Sequence, residues 1–263
     1  MDQGSTSSNA QWHKVVAGAI DRGLVQQRSP QQTRSRDRHE EILRAAVRVF
    51  ARDGIARARI SDIAAEAGVP LSSVYDYYRS KEEIAYVVPI ARMGEFFGEF
   101  ANEARALHTA RERLSLFLWL TVDFARRNQD WARTLYLEVW PSVLIEKTPV
   151  KESLDDYGRI LLALIADGER SAEWPPDQQR YQTLAIFIGS TSQLIITWLL
   201  YKKPRHLMKA TAPLVERLLS LLQPATENLQ PKIQDTQLGN TAKAGRPAPR
   251  ARAASRTAPV ARV

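Results

Sequence analysis

The stretch from Ile60 to Lys81, ISDIAAEAGVPLSSVYDYYRSK, constrains the fold of this chain more than any other. Apolar residues recur at helical spacing before Gly68, and a second apolar pair, Val74 and Tyr78, follows four residues apart. Gly68 supplies the left-handed backbone position that ends the first helix. Two short helices joined by a glycine turn, the second with a small polar face, predict a helix-turn-helix that enters a DNA major groove.

The surrounding residues carry a longer pattern of small apolar, glycine and aromatic positions: Ile42, Ala45, Ala46, Phe50, Gly54, Ile63, Ala64, Ala67, Gly68, Val69, Tyr75, Tyr77 and the run Ser80 to Ile84. This pattern, from Glu41 to Ile84, resembles the DNA-binding domain of the TetR/AcrR family of bacterial transcription regulators. The resemblance implies an all-α fold with an N-terminal three-helix DNA-binding head and a C-terminal helical bundle for ligand binding and dimerisation. The chain departs from the family at Arg59, where Thr or Ser usually caps the second helix of the head.

The resemblance places the second short helix against DNA, so its outward side chains are expected to contact base edges or nearby phosphates. Tyr75 is carried over from the family pattern, and Lys81 is expected to hold a phosphate at the start of the next helix. The helix offers no Arg-to-guanine or Asn-to-adenine pair, so specificity would depend on tyrosines, water and DNA shape. The predicted DNA-binding residues are Arg36, Arg38, Leu71, Ser72, Ser73, Tyr75, Asp76, Tyr77 and Lys81.

The rest of the chain is helical in pattern, without the alternating runs and turn dipeptides of strands, which makes the fold class all-α. A long connecting helix is expected from Lys81 to about residue 107, interrupted or bent near Pro89. We predict four regions: a disordered basic N-terminal arm (1–36), in which a transient helix can form around 11–25, a helix-turn-helix domain (37–84), a ligand-binding and dimerisation domain (85–222) and a disordered basic tail (223–263).

The family resemblance implies a small-molecule site among the C-terminal helices, and large aromatic residues at helical spacing could form its walls. Large aromatic residues at such spacing are more often plain core. Glu138 shares a helical face with Trp131 and Leu135, so its carboxylate either binds a polar ligand group or has an internal partner such as Arg133 or Arg159. The predicted ligand-binding residues are Phe100, Phe117, Leu120, Phe124, Trp131, Leu135, Glu138, Trp140, Tyr157 and Phe187. They favour an apolar or aromatic inducer.

The last two predicted helices, 177–203 and 209–222, are the dimerisation pair that the resemblance implies. Apolar residues form a stripe on each, and small residues around Gly189 would permit close helix approach. Both stripes could instead be buried within one subunit, but a palindromic operator requires two heads. The predicted interface residues are Leu184, Ile188, Gly189, Thr191, Ile195, Trp198, Leu214, Leu218 and Leu221.

Composition narrows the remaining function classes. The net charge of +8 lies in the two terminal segments, which suits a nucleic-acid partner. The chain has no cysteine, as expected of a cytoplasmic protein, and its 4 histidines are far apart, so no metal site is predicted. The apolar run Thr183–Tyr201 is interrupted by polar residues and is expected to be a buried or interface helix, and no signal peptide is expected.

These features predict a cytoplasmic, homodimeric, ligand-responsive transcriptional regulator that binds a palindromic operator in double-stranded DNA. The expected sign of regulation is repression, and a hydrophobic or aromatic inducer is expected to release the protein from the operator. No phosphate loop, nucleophile elbow or paired carboxylates for acid–base chemistry occur, so neither an enzyme nor a cofactor is predicted. Two alternatives stay open: a helical ligand-binding or interaction module without DNA function, and a small-molecule enzyme built on a helical bundle.

Overall fold

The computed structural model describes residues 10–26, 33–142, 148–177 and 179–223; residues 10, 23–26, 33–36 and 148–150 of these are described by their backbone alone. Every regular element in these ranges is helical, which confirms the all-α prediction. The predicted C-terminal tail lies outside the described residues from 224 onward. The elements in chain order are α1 (Ala10–Gln26), α2 (Thr33–Asp53), α3 (Ile60–Ala67), α4 (Leu71–Tyr75), α5 (Lys81–Ala104), α6 (Ala110–Arg127), α7 (Gln129–Arg133), a π-helical segment (Thr134–Val139), α8 (Thr148–Arg170), α9 (Arg180–Tyr201) and α10 (Leu207–Ser220).

Helices α2, α3 and α4 and the start of α5 form the head around one apolar core. Gly54 and Gly68 follow α2 and α3 with φ values of 77° and 67°, a conformation that glycine adopts without strain. The N–H groups of Gly68 and Val69 donate to the carbonyls of Ala65 and Ala64, which turns the chain sharply towards α4. The head core buries the predicted apolar residues Ile42, Ala45, Ala46, Val49, Phe50, Ile63, Ala64, Val74, Tyr78 and Ile84.

Helix α5 leaves the head and becomes a central helix of the body, so the domain boundary predicted at 84/85 falls inside one element. Pro89 lies within α5 without ending it, and the interruption expected there is absent. Aromatic rings fill the body between α5, α6 and α8. The Phe117 ring lies 5.3 Å from Phe96, 5.0 Å from Phe100 and 4.9 Å from Tyr157, measured between ring centroids.

Helix α1 differs from the expectation that residues 1–36 are a mostly disordered arm. It packs against α5 and α8, and its Trp12 indole is fully buried with its ring 5.7 Å from that of Phe100. The Arg22 guanidinium donates to both carboxylate oxygens of Asp156 on α8. Although α1 is mainly polar, its one apolar face is enough for it to pack into the groove between α5 and α8. Local composition carries no sign of that groove.

Candidate functional site

The outward surface of α4 lies on the head and is available to a macromolecule. Tyr75 is 53% exposed and Leu71 is 43% exposed, and Ser72 and Asp76 also face outward, as predicted. Ser73 is only 9% exposed, which contradicts its predicted outward position. In a five-residue helix of 100° per residue, Ser73 turns inward together with its buried neighbour Val74.

Three further predicted contacts, Tyr77, Arg38 and Arg36, lie outside α4 in the chain. Tyr77 is half-buried against the head core rather than fully outward. Arg38 is exposed near the start of α2, whereas the Arg36 side chain lies outside the described part of the structure. Arg79 is exposed directly after the α4 turn and was not predicted. Its position between the recognition helix and the start of α5 was the available signal, because phosphate contacts need a basic residue close to that helix.

The ammonium group of Lys81 ties the start of α5 to the loop between α2 and α3. Its Nζ donates to the carbonyl of Ala56 at 2.7 Å and to that of Ala58 at 3.1 Å. A lysine has three N–H donors, so one remains for the predicted phosphate contact. A substitution at Lys81 would therefore change both the support of the head and its DNA surface, whereas one at Tyr75 changes the surface alone.

Helix α3, which supports α4, begins without the Thr or Ser cap that the family usually has. The Arg59 N–H instead donates to Asp62 Oδ2 at 3.2 Å, so an acidic side chain in the first turn satisfies this N–H. The negative charge of Asp62 also suits the positive end of the helix dipole. The missing cap is thus partly offset within α3 itself.

The arginines along α2 form ion pairs with neighbouring carboxylates. Arg44 pairs with Glu40 at 2.6 Å, and Arg48 pairs with Glu66 of α3 at 2.6 Å. These partners are largely solvent-exposed, so water screens each pair and its contribution to stability is small. Their main consequence is that this face of α2 is electrostatically balanced.

His39 and Tyr78 connect α2 to the segment that follows α4. The Tyr78 hydroxyl lies 2.6 Å from His39 Nε2, and their rings stack with centroids 5.5 Å apart. Burial lowers the pKa of His39 and raises the pKa of Tyr78, so both groups are neutral at pH 7. The head core therefore depends on a histidine that resists protonation.

We expect the stability of the protein to fall when the pH drops below the ordinary histidine value of about 6.5. Because the folded-state pKa of His39 is lowered, the unfolded chain binds more protons in this window, and the free energy of unfolding decreases with decreasing pH. Urea unfolding of the wild type and His39→Gln at pH 7.5 and 5.5 measures the effect. The variant should lose less stability than the wild type, and equal losses would show that His39 is not responsible.

An apolar cavity lies in the body, enclosed by α5, α6, α7, the π-helical segment, α8 and α9. The free space at its centre is about 20 Å³, room for about one water molecule. Even an engineered cavity that binds benzene measures about 150 Å³. The cavity is therefore closed in this structure. Its walls are Met93, Phe96, Thr121, Phe124, Trp131, Leu135, Tyr136, Trp140, Leu154, Tyr157, Ile188 and Ser192.

The polar side-chain groups of these walls are hydroxyls and the indole N–H groups of Trp131 and Trp140, and none of these wall residues is ionised at pH 7. Thr121 Oγ1 lies 3.0 Å from the Tyr157 hydroxyl and donates to the Phe117 carbonyl at 2.8 Å. Burial raises the pKa of Tyr157 to about 12, and burial likewise raises the pKa of Tyr136. Neutral hydroxyls in an apolar enclosure can hydrogen-bond one uncharged polar group, but they cannot compensate the desolvation of a charged one.

The structure places about half of the predicted ligand-binding residues on the cavity wall: Phe124, Trp131, Leu135, Trp140 and Tyr157. Phe100, Phe117, Leu120 and Phe187 are buried in the packing outside it. Thr121 and Tyr136 were not predicted, although each lies on the same helical face as a predicted neighbour. Ile188, predicted for the dimer interface, also belongs to the wall.

Glu138 faces away from the cavity and contacts the head. Its Oε2 accepts a hydrogen bond from the Ile55 N–H at 3.3 Å. Neither predicted arginine is its partner, because Arg133 donates to the Leu199 carbonyl and Arg159 pairs with Asp156. The carboxylate thus has an internal partner, as one alternative stated, but the partner is backbone from another part of the chain.

The structure places half of the predicted interface residues on α9 inside the subunit. Thr191, Ile195 and Trp198 are buried within the subunit, and Leu184 and Ile188 are half-buried against its core. On α10, Leu218 is buried and Leu214 is half-buried, whereas Gly189 and Leu221 face outward as predicted. Helix α9 is apolar around most of its circumference, so periodicity could not identify the outward side. The exposed apolar surface, here the α9 outer face, consists of Tyr181, Ala185, Ile186, Gly189, Leu200 and Tyr201.

Helix α9 has the length and composition of a membrane-spanning helix, with 22 residues and a mean hydropathy of 1.6. Core helices of soluble proteins pass the same test, so a single such helix is weak support for a membrane span. Only 28% of its most apolar window is buried inside the subunit. Most of this window is therefore not buried by the rest of the subunit.

Comparison with known proteins identifies the head. The family described as bacterial regulatory proteins, tetR family, matches residues 42–86, which cover most of α2, all of α3 and α4 and the start of α5. The fatty acid metabolism regulator protein of Bacillus subtilis (strain 168) is 25% identical over 185 residues, which are 70% of this chain and 95% of that protein.

Two solved structures are similar over the head and body together. The transcriptional regulator FadR from Bacillus subtilis, in complex with stearoyl-CoA, matches with a TM-score of 0.65 and 25% identity, over 69% of this chain and 98% of that chain. FadR from Bacillus halodurans matches with a TM-score of 0.65 and 21% identity, over 70% and 100% respectively. Helix α1 precedes the residues that the family matches.

Proposed function

Since this chain belongs to the TetR family of bacterial regulatory proteins and is a ligand-responsive transcriptional regulator, we propose that it is a homodimeric repressor released from a palindromic operator by a small molecule whose uncharged, largely apolar part enters the cavity of the body. The observation that carries the proposal is the exposed face of α4 on a head that packs directly against a body with a closed apolar cavity. A regulator of bacterial DNA acts in the cytoplasm. The family is regulatory, so a regulator is favoured over an enzyme.

The DNA-binding surface is formed by α4 and its surroundings. Leu71, Ser72, Tyr75 and Asp76 face the groove, and Arg38 and Arg79 hold phosphates beside it. Leu71 can contact a thymine methyl, and Asp76 can accept from cytosine N4. Ser73 is left out because its side chain is buried.

The α9 outer face, together with Leu221 after α10, is the proposed subunit interface. Ile186 and Leu200 are 46% and 50% exposed in the single subunit, and Gly189 between them leaves open space for a second helix. A twofold axis through this face pairs each residue with its own copy or a near neighbour. Two heads held in this way could enter successive major grooves, about 34–36 Å apart.

The ligand must open the cavity before it can bind. Among the residues that the structure describes, no charged side chain lines the wall, so the part of the ligand that enters is uncharged. Tyr157 and Thr121 are placed to accept a hydrogen bond from a single hydroxyl of the ligand. The Bacillus subtilis FadR structure contains stearoyl-CoA. The same class of ligand fits here if its acyl chain enters the cavity and its charged nucleotide stays outside.

Release from DNA follows from a shift in population. DNA favours the arrangement of the two heads that fits the operator, and a ligand favours the arrangement with an opened cavity. DNA and the ligand each bind the two arrangements with different affinity. These differences set how strongly the ligand weakens DNA binding.

Titration of the chain onto a fluorescent fragment of its own upstream DNA, with and without stearoyl-CoA, tests this proposal. We expect tight binding that weakens by roughly 5- to 150-fold with the acyl-CoA, the usual range of allosteric coupling. Octanoyl-CoA is the matched control, because it has the same nucleotide and a shorter apolar chain. Binding that neither compound changes would contradict the proposed ligand class, and absence of DNA binding would favour a module without DNA function.

A further inference from the structure

The π-helical segment Thr134–Val139 contacts the cavity and the head at once. Leu135 and Tyr136 line the cavity, whereas Glu138 contacts the turn after α2. The segment and α7 before it both pack against α2. We propose, on the basis of the function proposed above, that this segment transmits the state of the cavity to the head, and that Glu138 is the positioning residue at the point of contact.

The cavity side of the segment has to move when a ligand enters. The free space of about 20 Å³ is too small for an organic molecule, so some part of the wall is displaced. The segment bonds with the wider π-helical spacing, and the Trp140 N–H donates to the Leu135 carbonyl at 2.8 Å. π-helical turns are rare and occur frequently at functional sites. A one-residue change of its hydrogen bonding would turn Glu138 by about 100° relative to the head.

The head side of the segment is a close and specific contact. The Glu138 carboxylate accepts from the Ile55 N–H, and a Cβ placed on Gly54 would lie only 3.3 Å from Glu138 Oε1. Gly54 has a positive φ of 77°, which also favours glycine at this position. The contact therefore needs glycine for two reasons, its backbone conformation and the space for the carboxylate.

The turn that Glu138 holds leads directly into the DNA-binding elements. Residues 54–59 connect α2 to α3, and α3 supports α4 through the head core. Lys81, at the start of α5, bonds the carbonyls of Ala56 and Ala58 in the same loop. Displacement of Glu138 would thus change the anchoring of the loop that orients α3 and α4 relative to the body.

The test uses 5-fluorotryptophan and upstream DNA, so it needs no identified ligand. Trp131 and Trp140 line the cavity on either side of the segment, and their ¹⁹F resonances are assigned with Trp131→Phe and Trp140→Phe. In the wild type, DNA binding should shift both resonances, because linkage between the two sites is reciprocal. In Glu138→Ala the shifts should fall by about fivefold or more, in line with the coupling expected between sites.

Two variants separate the hydrogen bond from other effects. Glu138→Gln keeps an oxygen that can accept from the Ile55 N–H, so it should retain a larger part of the shifts than alanine. Glu103→Ala removes an exposed carboxylate from α5 in the body and should behave as the wild type. Full shifts in Glu138→Ala, or a wild type that binds DNA without any shift, would overturn the proposal. A wild type that fails to bind DNA would contradict the proposed function itself.

Discussion

Replacement of Tyr75 by alanine is expected to abolish most of the affinity for operator DNA without unfolding the protein. The side chain is 53% exposed, so its removal leaves no cavity in the head core. A direct DNA contact contributes about 1–2 kcal/mol per head, and a dimer loses two of them, which lowers the affinity by about 30- to 700-fold. Fluorescence anisotropy with upstream DNA measures the loss, and thermal unfolding verifies the fold.

The matched control for Tyr75 is another exposed aromatic residue away from the head. Trp119 on α6 is 37% exposed, and Trp119→Ala should leave the DNA affinity within about twofold of the wild type. Tyr75→Phe removes only the hydroxyl and separates a phosphate hydrogen bond from ring contacts. If Tyr75→Ala binds upstream DNA as tightly as Trp119→Ala does, α4 is not the DNA-reading element.

Replacement of Ile186 by glutamate on the α9 outer face should separate the subunits and, as a consequence, remove operator binding. In a twofold-symmetric interface both subunits carry the substitution. The two carboxylates would be buried near the axis, where they repel each other at a cost of several kcal/mol. The dissociation constant of the dimer should rise by at least about 10³-fold, which light scattering after gel filtration detects as a change to a single subunit.

The same substitution on the head gives the complementary result. Leu71 is exposed to a similar extent as Ile186, at 43% against 46%, but lies on α4. Leu71→Glu should lose DNA binding through repulsion from phosphates and remain a dimer. A dimeric Ile186→Glu would show that another surface, such as that near α10 and Trp119, joins the subunits.

The head was predictable because its determinants are local in sequence. Gly54 and Gly68 mark the ends of α2 and α3, and apolar spacing identifies the buried side of each helix. The error at Ser73 arose because α4 is only five residues long, so its inward side is fixed by packing against Val74 rather than by a full helical period. The pattern also could not show that α5 continues unbroken through Pro89 into the body.

The helical class of the body was predictable, but some details of its packing were predicted wrongly. These details depend on contacts between residues that are far apart in sequence. Helix α1 docks through Trp12 into a groove between α5 and α8, and these helices lie far from it in sequence. Helix α9 is apolar on nearly all sides, so only the three-dimensional packing distinguishes the wall residue Ile188 from the outward Ile186. The contact between Glu138 and Ile55 spans 83 residues, and no local pattern indicates it.

The central claim is that two copies of this chain present two α4 helices to one DNA site. Light scattering of the purified complex with a short fragment of upstream DNA, trimmed to the protected region, measures the number of chains on each duplex. We expect two chains on each duplex, or a multiple of two, and no stable complex for Ile186→Glu at the same concentrations. A complex that contains one chain on each duplex, formed equally well by Ile186→Glu, would contradict the account.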